Sequence, residues 1–410
     1  MNDPLDEIIR IEGGQVLATL IRLTGDIDRA EDALHDAVVV AADTWRRDGL
    51  PDRPGAWLTT VARNKALDRL RREARRAPKE EEAFRMLTEG SATGDDDDSR
   101  DDRLRLLFTC CHPALSPESQ VALALRTICG LTTVDIARVF LVPEPTIGQR
   151  ISRAKAKIAT AHIPYRVPDE HELPDRLRPV LTTVYAVFTA GHHAPVGELD
   201  ARLDLADEGV RLSRVLVELM PDEAECVGLL ALSLATNARR RARTDPDGEI
   251  VLLADQDRSL WDHEAITEAS SLVESVLRRG RPGAYQMQAA IACLHGVAPT
   301  YAETDWPQIA ELYALLEARW PTPVVRVNRA VAVAEVAGPR AGLALLAELV
   351  GTSAERWHLY WSTRADFHRR LGEVEQAANC YRQALDCPCN DSDRRFLQRR
   401  LAEIERVGPS

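Results

Sequence analysis

Aromatic residues are scarce, 5% of 410 positions, against 45% hydrophobic and 28% charged residues. Ala, Leu, Arg and Glu dominate, so the composition is that of a soluble, mostly helical protein. No run of about 18 uncharged apolar residues exists, which argues against a membrane-spanning helix. The opening MNDPLDEIIR is acidic and lacks the basic-then-apolar order of a signal peptide, so a cytoplasmic location is expected, with no membrane partner. Eight cysteines occur at 110, 111, 129, 226, 293, 380, 387 and 389. Several sit within helical apolar patterns of a long chain, and a disulfide framework is not expected. A chain of this length exceeds one small domain, so two or three are expected.

A net charge of −12 looks wrong for a nucleic-acid binder until it is divided along the chain. Residues 1–45 carry ten acids and three bases, 46–76 ten bases and four acids, and 77–103 four bases and ten acids. From 126 to 166 there are seven bases and two acids, and from 167 onward 37 acids and 27 bases. Two compact basic blocks therefore lie in an acidic protein, and phosphate attraction needs only the local field.

The second block holds the most informative stretch, LSPESQVALALRTICGLTTVDIARVFLVPEPTIGQRISRAKAKI. Thr132 or Thr133 can cap a short helix, which Val142-Pro143 then breaks. A second helix starts near Pro145, where Ile147, Ile151, Ala154 and Ile158 repeat at i, i+4, i+7 and i+11 as one packed face. Arg150, Arg153 and Lys157 form a cationic stripe on the other face, with Gln149 and Lys155 beside it. The plain reading of such a stripe is a solvated face. The paired helix and the placed turn favour a helix-turn-helix whose last helix meets phosphates and base edges.

Residues 1–76 also read as helical. In DIDRAEDALHDAVVVAADTW, Ala30, Leu34, Ala37 or Val38, Ala41 and Trp45 make an apolar stripe, while Glu31, Asp32, His35 and Asp36 lie off it. That acidic face is either solvated or a docking surface for a basic partner. In GAWLTTVARNKALDRLRREARR, Leu58, Val61, Ala62 and Ala66 share a face, and Arg63, Asn64, Lys65, Arg69, Arg71 and Arg72 surround the rest, a pattern suited to a nucleic-acid backbone. The stretch 77–102, with PKEEEAFRMLTEGSATGDDDDSRDD, reads as an acidic flexible linker that tethers the two basic blocks.

The segments AEDALHDAVVVAADTW and GAWLTTVARNKALDRLRRE resemble region 2 of extracytoplasmic-function (ECF) sigma factors of the sigma-70 family, and the helix-turn-helix stretch resembles their region 4. The resemblance implies an all-α protein: region 2 over 1–76, the linker 77–102, and region 4 over 103–165. It also implies the partners, RNA polymerase core (its β and β′ subunits) and promoter DNA. Asp32, His35 and Asp36 match positions that dock on core polymerase. Trp57, Arg63, Asn64, Asp68, Arg71 and Arg72 match those that hold the opened −10 strand, where bases must stack and phosphates be neutralised. Thr146, Gln149, Arg150, Arg153 and Lys157 match the −35-reading helix, and Arg and Gln suit G and A edges. For Trp57 the plain alternative is a core tryptophan, and for Asp68 an intrahelical partner of Arg71 or Arg72.

FTCCHPALSPESQVAL resembles a subgroup of these factors with a long C-terminal extension. Here 172–410 is helical in pattern, and counting His358 as position 1 places Trp361, Ala365, Gly372, Ala377, Tyr381 and Ala384 as in a tetratricopeptide repeat. VNRAVAVAEVAGPRAGLALLAEL is a weaker echo. Stacked pairs bury what one pair cannot. The extension is expected either to hold the two sigma regions in a productive orientation or to sense a protein or small-molecule ligand and release them. No metal, cofactor or catalytic set is expected. Adjacent Cys110 and Cys111 lack zinc-knuckle spacing and read as buried small residues, and Cys387-Pro388-Cys389 reads as a helix terminus. Asp255, Asp257, Asp262, His263 and Glu264 near Trp261, and His192-His193, match no nucleophile or metal motif. The rival function is a stand-alone helix-turn-helix regulator with a helical-repeat interaction domain, which leaves the acidic helix and the first basic block without a use.

Overall fold

The computed structural model describes residues 4–74, 96–140, 142–192, 199–280 and 282–407. The chain divides into two compact units, Met1–Val187 and Phe188–Ser410. The architecture is all-α, and the described residues carry a single isolated β-bridge, Thr244 with Ile250. No helix among them is long and apolar enough to cross a membrane.

The first unit begins with three helices, α1 (Pro4–Thr24), α2 (Ile27–Asp48) and α3 (Pro54–Ala74). Asp26 caps α2 by accepting from the Arg29 amide at 2.8 Å, the donor-satisfying role that Asp plays at helix starts. The buried stripe of α2 is Ile27, Ala30, Ala33, Ala37, Ala41 and Trp45; Ala33 takes the place expected for Leu34, which is only half-buried. Its small side chains let α1 and α3 pack closely, with Leu17, Leu20 and Ile21 on one side and Leu58, Ala62 and Ala66 on the other. Gly14 is needed for the next contact: a Cβ there would stand 2.5 Å from the Ile128 carbonyl oxygen.

Four more helices complete the core of this unit: α4 (Asp96–Cys110), α5 (Pro117–Thr127), α6 (Thr133–Phe140) and α7 (Glu144–Thr160). The expected linker differs from this in two respects. Residues 77–95 lie outside the described residues, but α4 begins at Asp96, inside the stretch expected to be flexible. Asp102 is fully buried, with its carboxylate 2.8 Å from Arg22 Nε of α1 and 2.7 Å from Arg105 Nη1. Composition read the acids as mutually repelling. The structure gives the last of them two guanidinium partners, and the following Leu104, Leu106, Leu107 and Phe108 bury on several sides at once. The two basic blocks therefore share one compact unit, where the sequence reading had them as separate tethered pieces.

The second unit runs from the C-terminal end of α8 (Leu173–His192) through α9 (Leu199–Leu219) and α10 (Ala224–Asn237) to α11 (His263–Leu277) and α12 (Ala284–Val297). The α10 helix is buried at every position from Cys226 to Ala235, as expected of a helix surrounded by others. Close approach again falls on small residues, since a Cβ at Gly209 would stand 2.6 Å from the Phe188 backbone. Six helices follow: α13 (Trp306–Arg319), α14 (Pro323–Ala337), α15 (Pro339–Ala347), α16 (His358–Arg370), α17 (Val374–Asp386) and α18 (Asp391–Val407). Gly338 at φ 86° and Gly372 at φ 76° make the turns within the α14–α15 and α16–α17 pairs, a backbone region where glycine is not penalised. Ala365, Ala377, Tyr381 and Ala384 meet in the core of the latter pair. All eight cysteines are free thiols, seven of them buried, and burial pushes Cys111 up to about 12.

Candidate nucleic-acid interface

The helix-turn-helix is built by local chemistry. Thr132 Oγ1 accepts from the Asp135 amide at 3.2 Å while Asp135 Oδ2 accepts from the Thr132 amide at 3.3 Å, the reciprocal arrangement of a capping box. Thr133 Oγ1 donates to Glu144 Oε1 at 3.0 Å and ties the start of α6 to the start of α7. On α7 the buried face is Ile147, Ile151, Ala154 and Ile158. Each isoleucine so buried contributes roughly 1.5–3 kcal/mol, which fixes the rotation of the helix and hence what it presents outward.

What it presents is Thr146, Gln149, Arg153 and Lys157, all exposed. Arg150 is placed differently. It is half-buried, its guanidinium lies over the Phe140 ring at 5.1 Å, and its Nη1 is buried without a partner. Lys155 departs furthest from the sequence reading, which set it beside the cationic stripe. Its side chain is only 12% exposed, and its ammonium lies 2.7 Å from Asp28 and 2.9 Å from Glu31 of α2. The sequence held a signal for this: Lys155 follows Ile151 by four residues and precedes Ile158 by three, so it borders the packed stripe.

On α3, Asn64, Asp68, Arg71 and Arg72 are exposed and Arg63 is half-buried. Arg71 reaches Asp68 at 3.5 Å across one helical turn. Trp57 is half-buried with its ring 5.4 Å from that of Trp45, fastening the start of α3 to the end of α2. The expected docking acids of α2 are on the surface, with His35 and Asp32 exposed and Asp36 half-buried. Sequence reasoning missed their partner: Arg69 of α3 binds Asp32 and Asp36, each at 2.7 Å. These carboxylates are 68% and 36% exposed, and ion pairs in that setting contribute only ~0–1 kcal/mol. An incoming cationic partner could displace Arg69 at little cost.

Three family models match the chain: sigma-70 region 2 over residues 8–76, sigma-70 region 4 over residues 105–158, and a family of unknown function (DUF6596) over residues 176–277. An uncharacterized protein of Rhizobium meliloti (strain 1021) is 42% identical over 395 residues, which cover 95% of this chain and 93% of that protein. No solved structure matches the chain.

Proposed function

Because the chain belongs to the ECF-type sigma-70 factors with a C-terminal extension, and so directs promoter-specific transcription initiation, we propose which of its residues do that work. Asp32, His35 and Asp36 on α2 dock on the β and β′ subunits of core polymerase, exchanging Arg69 for a basic surface of the enzyme. Asn64, Arg71 and Arg72, with Arg63, Asp68 and Trp57 supporting them, hold the opened −10 strand. Thr146, Gln149, Arg153 and Lys157 read the −35 element, and Arg150, stacked on Phe140, sets the pose of the helix and completes the positive edge. The extension, read as tetratricopeptide-like pairs from α14 onward, positions or regulates the sigma regions in response to a protein or small-molecule ligand.

One observation carries this reading: α7 buries one face and leaves Thr146, Gln149, Arg153 and Lys157 exposed on the other. A base-reading Arg or Gln is worth about 1–3 kcal/mol of discrimination, whereas a lysine on phosphate weakens binding evenly across sequences. In-vitro transcription with purified core polymerase and the full chain tests it. Initiation should fall roughly 5- to 150-fold in Arg153→Ala with altered preference at one −35 position, and fall without altered preference in Lys157→Ala. Normal association with core but equal activity on all −35 variants would remove the assignment to α7. Failure to bind core after Asp32→Ala and Asp36→Ala would support the docking acids, and unchanged binding would discard them.

A further inference from the structure

Between α10 and α11 the chain makes a long excursion over residues 238–262. A 3-10 turn at Arg240–Ala242 leads into a loop closed by the Thr244–Ile250 bridge, and two more, at Leu253–Asp255 and Arg258–Leu260, deliver Trp261. Trp261 is 4% exposed and packs on Ala238, Ala242 and Ile266. The Asp262 amide, bonded to the Ala238 carbonyl at 2.9 Å, fastens the end of the loop to its start.

Two guanidiniums meet on this indole. Arg258 lies 4.3 Å and Arg239 5.7 Å from the ring centroid. Arg258 Nη1 donates to the carbonyls of His295 and Ala298 at 2.9 and 2.6 Å, which fixes its plane. Three N–H groups here are buried with no hydrogen-bond partner, Arg239 Nε, Arg258 Nη2 and Trp261 Nε1, and so is His295 Nδ1, on a ring that packs edge-on against Trp306. The nearby acids hydrogen-bond elsewhere, and Glu303 acts on Arg258 only through space. Asp257 accepts from the Ser259 amide, Asp262 from the Ala265 amide, Glu303 from the Thr300 hydroxyl, and Asp207 from Arg240. Like charge accumulates in consequence: burial, then Arg243 and Arg258, depress the Arg239 guanidinium to about 10.

Buried donors without acceptors cost roughly 1–3 kcal/mol each, and more when charged. Here they cluster on one ring with two guanidinium forks, a set suited to oxygen atoms that carry negative charge. We infer that the corner formed by Arg239, Arg258, Trp261 and His295 is an oxyanion-binding site, taking the carboxylate or phosphate group of a ligand. The site lies wholly within the second unit and stands or falls independently of the promoter-reading assignments.

The test is a thermal-melting titration of the full chain with sodium phosphate and, separately, sodium glutarate, with sodium chloride holding ionic strength constant. One or both anions should raise the melting temperature saturably, by about 5 °C at a hundredfold excess over Kd. A rise with phosphate alone identifies a phosphate ligand, and one with glutarate alone a carboxylate ligand. Arg239→Gln should lose the rise and melt in chloride no lower than the unmodified chain, since it removes a guanidinium that lacks an ion partner. Arg278→Gln, which alters an exposed arginine paired with Glu274 on α11, should keep the rise. Isothermal calorimetry of the unmodified chain reads the same binding without a variant. No saturable response to either anion, or an equal response in Arg239→Gln, overturns the proposal.

Discussion

Replacing Lys155 by methionine should strengthen promoter-complex formation, although it removes a cation from the helix proposed to read the −35 element. Lys155 joins α7 to α2 through Asp28 and Glu31. The Asp28 carboxylate is 74% exposed, so solvent screens that pair to a few tenths of a kcal/mol, whereas Glu31 is 24% exposed and its pair with the 12% exposed lysine is worth about 1–2 kcal/mol. Desolvation alone would lower the lysine pKa, but the two carboxylates outweigh it and the net shift is upward. A raised basic pKa means the contribution is complete below the ordinary lysine value of 10.5 and is lost only above it, so it is fully present at neutral pH. Elements centred about 25 base pairs apart lie ~85 Å apart along B-form DNA at ~3.4 Å per step. A compact unit of 187 residues has a radius of gyration of only about 16 Å. On the proposed assignments of α3 to the −10 strand and α7 to the −35 element, the α2–α7 contact therefore opens before both elements are reached. Weakening it by 1–2 kcal/mol should tighten apparent promoter-complex affinity about 5- to 30-fold where the closed form predominates. Equilibrium binding to fluorescent promoter DNA with core polymerase measures this, and Glu31→Gln should move it the same way. Weaker binding in Lys155→Met would show that the ammonium contacts DNA directly and would refute the closed-contact reasoning.

Two further predictions concern the units separately. Asp102→Ala removes the acceptor that Arg22 and Arg105 share and should destabilise the α1–α4 packing by about 1–2 kcal/mol, since both guanidiniums are partly solvent-exposed and burial already pushes the Asp102 carboxyl up; Asp102→Asn, which keeps the volume and still accepts a hydrogen bond, should cost less than half as much, as measured by hydrogen exchange of α4 amides. His295 is held down to about 4 from 6.5 by burial and then by Arg239 and Arg258, so its neutral form favours the fold: the second unit should lose up to about 3 kcal/mol as pH falls from 6.5 to 4, and His295→Gln should flatten that part of the stability-against-pH curve.

The parts of this molecule that were legible in the sequence are those set by short-range periodicity. The α7 stripe, the α2 stripe and the turn before Pro145 follow from i, i+3 and i+4 spacing and from capping chemistry, which act within a few residues. What was not legible depends on partners far along the chain. Lys155 and Asp28 are 127 residues apart, Arg69 and Asp32 are 37 apart, and Arg22 and Asp102 are 80 apart. In each case a charge that composition assigned to a solvated or DNA-facing surface is held by an opposite charge on another helix. The same limit explains the linker boundary, since nothing local in a run of acids reveals that its last member will meet Arg22. The consequence for the sites is specific. Exposure leaves Thr146, Gln149, Arg153 and Lys157 accessible on α7, and the proposed function then requires Arg69 and Lys155 to release their acids before α2 docks and α7 turns to DNA.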